Sequence, residues 1–367
     1  MSLTSQLRDG ELGAWCKARF TGSADLAGQV GLATRDRRAV APIGRPAGRH
    51  WAAIGGAFGA RIAALVQPAP PYYALFGLVN AGLVRRSWAD DQAARYPTHS
   101  ALPPHDRMLD LRPTVAGWFD LDPTGEFDSG EPDSRSGFPA EPVLADLLDR
   151  TRAYFAQHAP PGRVGTKGAE IGLARSCWLL EIFESVYRSG QVHEIHQLFR
   201  PGVPSLAELR GTASEVVVTE LAALAEQLTT LDAVGTLRRL AGGPPAGQPL
   251  GIAAPAFVNH WADGDVVLTG PSGSTLLEVK TVLKTGDRPR ATQWLWQLVA
   301  YAWLDVADRY QIRDVGFYFA RHGVLVTWPL DDLVDRLLDG HGQADARREF
   351  DRVAARVIEA EGARLPI

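Results

Sequence analysis

The sequence predicts an α/β protein: a mixed β-sheet flanked by helices toward the C-terminus, preceded by a large, mainly helical N-terminal portion. Two observations predict this class. Helical apolar spacing runs through most of residues 140–241, while residues 252–330 read as strand, strand, helix, strand, strand. The stretch AGGPPAGQPLG at 241–251 reads as a linker between them. The expected organisation is therefore a helical region at 1–240, the linker, a catalytic core at 252–330 and a helical segment at 331–367. With 46% hydrophobic residues and 10 Trp among 367, the chain can bury a substantial core.

Along the chain, residues 1–49 are rich in Gly and Arg and show little periodicity. Their segment 33–50 is either a phosphate-contacting loop or a solvated arm. A helix is expected at 50–66, where the pattern IGGAFGAR places close-packing glycines; no strand precedes it, which argues against a nucleotide loop. Prolines 68, 70 and 71 end it, and a second helix is expected through ALFGLVNAGLV. The acidic, turn-rich stretch 120–137 reads as a flexible loop whose carboxylate spacing does not fit a calcium-binding helix–loop–helix. Helices are expected at Pro142–His158, Glu170–Arg188 and Ser214–Leu240. His193 and His196 lack a third ligand, so they make no zinc site.

The hairpin WADGDVVLTGPSGSTLLEVKTV at 261–282 carries the chemistry. Pro271 and Gly273 mark its turn. With the turn centred on Pro271 and Ser272, Asp265 falls opposite Glu278 and Asp263 opposite Lys280. Side chains alternate along a strand, so all four share one face of otherwise apolar strands. Opposed carboxylates on a half-buried sheet repel and are costly to desolvate. A divalent cation removes both objections, and oxygen ligands suit Mg²⁺ or Mn²⁺. The alternative is a solvent-facing hairpin whose charges keep an edge soluble. A helix is expected next, at 291–310, with Leu295, Leu298, Val299, Ala302 and Val306 apolar and Gln297 and Tyr301 one turn apart. The run 315–328 then reads as two strands joined by a turn at Arg321–Gly323. Residues 343–363 read as an amphipathic helix burying Phe350, Val353 and Val357.

The ordered set of Asp265, then Glu-x-Lys at 278 and 280, then Gln-x-x-x-Tyr at 297 and 301 resembles the PD-(D/E)XK nuclease superfamily. The Gln-x-x-x-Tyr helix is similar to that of its RecB-like branch, which also holds CRISPR-associated adaptation nucleases. The resemblance covers 255–330, and it implies a restriction-endonuclease-like core. It implies metal-dependent hydrolysis of phosphodiester bonds, of DNA rather than RNA, in mobile-element (antiviral) defence, repair or recombination. Asp265 and Glu278 would hold Mg²⁺ or Mn²⁺, with a backbone carbonyl near Val279 adding a ligand. Asp263 would hold a second ion or steady the first set of ligands. Lys280 would orient the attacking water, and Gln297 and Tyr301 would contact nucleic acid or buttress the lysine. Many relatives carry a further acid on a preceding helix; Glu170, Glu181 and Glu184 are the candidates, and none is singled out. The alternative function is a nucleic-acid-binding or scaffold protein that keeps the fold without turnover. A hydrolase of another phosphate ester is a third reading.

Composition narrows the rest. Cys16 and Cys177 alone give no disulfide framework and suit a reducing, cytoplasmic setting. No secretory leader pattern and no apolar run near 20 residues is present, so no membrane span is expected. The net charge of −4 argues against a general nucleic-acid coat protein but not against a local basic cleft. Lys284, Arg288 and Arg290 form such a patch beside Lys280, and Arg321 and His322 are expected to extend it. Protein partners and self-association are left open.

Overall fold

The computed structural model describes residues 2–44, 48–98 and 137–365, apart from the Arg49 side chain. The expected acidic loop at 120–137 lies, save for Gly137, outside the described residues. Among them are fifteen helices and a five-stranded mixed sheet, with a separate two-stranded ribbon.

The sheet is built from β1 (Gly251–Ala253), β4 (Val266–Gly270), β5 (Gly273–Lys280), β6 (Ile312–Phe319) and β7 (Val324–Pro329) in that spatial order; β2 (Ala256–Val258) and β3 (Ala262–Asp263) form the ribbon. The β4–β5 hairpin has the register expected from its turn, pairing Gly270 with Gly273 and Val266 with Leu277. β5 and β6 are parallel, with Glu278 beside Phe317 and Lys280 beside Phe319. Parallel neighbours need a crossover, here α13 (Arg288–Leu304). Asp287 caps that helix by accepting the Arg290 N–H, with Pro289 in its first turn. The helix ends earlier than expected. Asp305 accepts the N–H groups of Arg309 and Tyr310, each at 2.9 Å, and so stops the helix before Val306, which is exposed rather than packed.

Both sheet faces are covered. One carries Val267, Leu276, Val315, Phe317 and Phe319 into a core shared with α1 (Leu3–Asp9), α2 (Glu11–Arg19), α3 (Ser23–Ala33), α13, α14 (Leu330–Leu338) and α15 (Gln343–Ala360). The other carries Val266, Leu268, Leu277 and Tyr318 against α4 (Gly48–Val66), α11 (Glu215–Thr230) and α12 (Ala233–Leu240). A third cluster lies away from the sheet, among α5 (Tyr72–Asn80), α6 (Arg86–Ala94), α7 (Glu141–His158) and α8 (Lys167–Ser189). Short α9 (His193–Phe199) and α10 (Leu206–Gly211) complete the described helices.

Three further expectations change. Residues 1–49, read as irregular, supply α1–α3, whose apolar residues belong to the same core as the sheet. Their helices are short, so few turns of periodicity show. The single helix expected at 214–240 breaks at Asp232, which takes a left-handed conformation (φ 53°). The segment 241–251 is not a free linker: Leu250 is buried and donates its N–H to Val66 O at 2.8 Å, and Gly247 donates to Pro161 O at 2.8 Å. Among the described residues no helix is long and apolar enough to cross a membrane.

Candidate active site

Asp265, Glu278 and Lys280 meet on the face of the sheet that α13 covers. Asp265 lies two residues from Val267, and Glu278 and Lys280 follow Leu276 at intervals of two, so strand alternation aims all of them toward one core. Asp265 Oδ2 accepts the Val279 N–H at 2.6 Å, and the Asp265 N–H donates to Glu278 Oε1 at 3.3 Å. The two carboxylates are thus neighbours across the mouth of the hairpin. Burial, and then the charge of Glu278, push the Asp265 carboxyl up to about 7. Glu278 is 4% exposed and its Oε2 accepts from Lys280 Nζ at 2.8 Å.

The lysine is held from the helix side as well. Its Nζ donates to Gln297 Oε1 at 3.1 Å, and Gln297 Nε2 donates to Tyr301 Oη at 2.9 Å. This amide orientation is the one in which the oxygen faces the ammonium. Tyr301 is buried, stacks on Phe257 (5.2 Å between ring centroids), and has its phenol pK raised by burial and then by Glu278 and Asp263. Glu278, Lys280, Gln297 and Tyr301 therefore form one continuous hydrogen-bonded chain. Two of the three Lys280 donors are committed, leaving one for a ligand.

Asp263 departs from expectation. It does not face Lys280 across the hairpin, because β3 leaves the sheet and pairs with β2, where Asp263 lies beside Ala256. Gly264 makes the bend: its N–H bonds Pro255 O, and a Cβ there would press on Phe257 and Leu276. The Asp263 carboxylate instead pairs with Arg188 of α8 at 2.8 Å, and Arg188 also holds Glu184 at 2.6 Å and lies over the Tyr73 ring. Arg188 was not legible in the sequence. Its spacing from Glu184 suggests a helix pair, but nothing local joins it to Asp263, 75 positions later.

The three helix acids separate clearly. Glu170 is buried in an ion pair with Arg61 and accepts the Gly165 N–H, so it is structural. Glu184 is occupied by Arg188. Glu181 takes no ion-pair partner among the described residues; burial, and then Glu184, push its carboxyl up to about 8. It packs against Gly56 of α4, where a Cβ would overlap it, and the adjacent Gly55 lies against Thr281 Oγ1, one residue past Lys280. The expected close-packing glycines thus have a role in the structure.

Lys284, Arg288 and Arg290 are exposed, and the Arg290 guanidinium lies over Trp294 at 5.4 Å. Arg321 does not extend their patch. It is fully buried, donating to Thr281 O at 2.7 Å, Val40 O at 2.9 Å and the Glu220 carboxylate, which His50 also meets. His322 is buried beside it, and burial lowers its pK. A turn read as a surface feature is an internal anchor. His193 and His196 bond Gln197 and the Ala81 carbonyl separately.

The donor set fits one hard divalent ion and not a three-carboxylate cluster. Asp265 and Glu278 lie side by side with oxygen donors only, and burial first, then the charge of Glu278, raise the proton affinity of Asp265, a cost that a bound cation would relieve. Asp263 is drawn to Arg188, and among the described residues no three His, Cys, Asp or Glu side chains are grouped around a metal position. Comparison with protein-family models, with curated proteins and with solved structures returns no match.

Proposed function

We propose that the protein is a metal-dependent nuclease that hydrolyses phosphodiester bonds of DNA, on a restriction-endonuclease-like core. One observation carries this reading: a buried Glu278–Lys280–Gln297–Tyr301 chain lies beside a carboxylate, Asp265, that burial and a neighbouring charge leave undercompensated. A structural ion pair needs neither the second carboxylate nor the amide-and-phenol support.

When bound between Asp265 and Glu278, Mg²⁺ or Mn²⁺ supplies Lewis-acid polarisation of a phosphate oxygen and a more acidic water. The protein's own groups do the rest. Lys280, fixed by Glu278 and Gln297, directs its remaining donor at the attacking water or a non-bridging phosphate oxygen. Tyr301 fixes the Gln297 amide and so the lysine's position. Asp263 acts at one remove, through Arg188, rather than as a ligand. A role in mobile-element defence, repair or recombination is consistent with such chemistry and rests on analogy with the superfamily.

The direct test incubates purified protein with linear and circular, single- and double-stranded DNA in Mg²⁺, Mn²⁺ or EDTA. Cleavage with either metal and none in EDTA supports the reading. Binding without cleavage under every condition supports a non-catalytic nucleic-acid-binding protein instead.

A further inference from the structure

The sequence left the arginine-rich segment after α3 unassigned between a phosphate-contacting loop and a solvated arm. Its position in the fold bears on that choice. At one end, Thr34 hydrogen-bonds Thr285 through their hydroxyls. At the other, Val40 donates its N–H to Arg321 O at 2.8 Å and accepts from the Arg321 guanidinium, which also holds Thr281 O. The segment 34–40 is thus pinned on both flanks of residues 281–285, the stretch that leaves Lys280. α3 itself lies under the next residues: Gly31 packs on Gly286, and Gly28 faces the Arg288 guanidinium.

This sets the stretch that carries Arg35, Arg37 and Arg38 beside the stretch that carries Lys284, Arg288 and Arg290. All six are exposed, and none has an ion-pair partner among the described residues. Asp36 and Asp287 are the acids within these two stretches, and Asp287 accepts the Arg290 N–H as a helix cap. In a chain of net charge −4, six exposed cations without ion-pair partners on two adjacent stretches make a local field of opposite sign. Such a row of separate cations suits a ligand with many spaced negative charges.

We propose that the 34–40 loop and the 284–290 segment together form a track for the phosphate backbone of a nucleic-acid strand, with Arg35, Arg37 and Arg38 as phosphate-binding residues. The track leads to Lys280, so it presents a phosphate to the carboxylates of β4 and β5. The choice of nucleic acid as the polyanion rests on the nuclease reading; the binding surface does not.

The test measures binding of a fluorescein-labelled DNA, single-stranded and duplex, to the full chain in EDTA across a salt series. Arg35→Ala/Arg37→Ala/Arg38→Ala and Lys284→Ala/Arg288→Ala/Arg290→Ala are each expected to weaken binding tenfold or more. Each should also reduce the slope of log Kd against log salt by roughly two to three, since each phosphate contact contributes about 0.7–0.9. A control pair, Arg150→Ala/Arg239→Ala, removes exposed cations from α7 and α12 and should leave the slope unchanged. Parental affinity and slope in the Arg35/Arg37/Arg38 variant, with an unchanged melting temperature, overturn the proposal. So does an equal loss in the control pair, which would show diffuse electrostatics. Binding to anionic lipid vesicles but to neither DNA also overturns it. Because EDTA removes cleavage, an arginine-dependent track in a protein that never cleaves would sustain this inference while the nuclease reading fell.

Discussion

On the proposed nuclease reading, Lys280 separates chemistry from binding. It touches Glu278 and Gln297 and is nearly enclosed, so its loss should act on the transition state more than on the ground state. Lys280→Ala is expected to cut the cleavage rate on the order of a hundredfold or more. DNA affinity should change far less, because one cation is a small part of a phosphate-binding track. Asp265 gives a pH signature. With its carboxyl pushed up to about 7, the folded protein holds that proton more tightly than the unfolded chain does. The stability this contributes is complete below the unfolded value of about 4 and is lost as pH rises through about 7. In metal-free buffer the parent's melting temperature should therefore fall between pH 5.5 and 8. Asp265→Asn, with no proton to lose, should show a flatter profile; parallel profiles would contradict the assignment. The face shared by Asp265, Glu278 and Lys280 was legible because strand alternation and the Pro271 turn fix it locally. The place of Asp263 was not, because Gly264 turns the chain out of the sheet on tertiary grounds, packing on Phe257 and Leu276.

At the scale of elements, the hairpin and the crossover helix were legible from period and punctuation, whereas the anchoring between elements was not. Arg321 shows why. A charged residue in a Gly-containing turn reads as solvated, and its burial rests on a counter-charge from Glu220, 101 positions earlier, together with the Thr281 and Val40 carbonyls. Arg321→Met leaves the buried Glu220 with His50 but without its guanidinium partner and should cost about 3–5 kcal/mol in chemical denaturation. Adding Glu220→Leu should recover part of that loss, since an apolar pair has no charge to strand; no recovery would mean that the pair is not the source of the cost. Helix crossings give a second contrast. A Cβ at Gly77 of α5 would overlap the Phe183 carbonyl of α8, a backbone atom that cannot swing aside. Gly77→Ala should destabilise by about 1–3 kcal/mol. Gly59→Ala, on α4 with nothing within 4 Å of the new methyl, should stabilise by about 0.5–1 kcal/mol.

For the whole molecule, the central claim is that an α/β sheet covered on both faces brings Asp265 and Glu278 together to hold a divalent ion that serves Lys280. Helices far apart in sequence build that setting. α1–α3 close one face, α4 and α11 the other, and α8 delivers Arg188 to Asp263. An ion that binds the native state preferentially must raise the melting temperature. It must also displace the Asp265 proton, so the rise should be larger at pH 8 than at pH 6. The most direct test is a thermal-shift titration with Mg²⁺ and Mn²⁺, run beside DNA cleavage, on the parent, Asp265→Ala and Lys280→Ala. The account predicts a metal-dependent rise and cleavage in the parent, loss of both in Asp265→Ala, and in Lys280→Ala the rise with cleavage slowed on the order of a hundredfold or more. An undiminished rise in Asp265→Ala, or cleavage at the parental rate in Lys280→Ala, would contradict it.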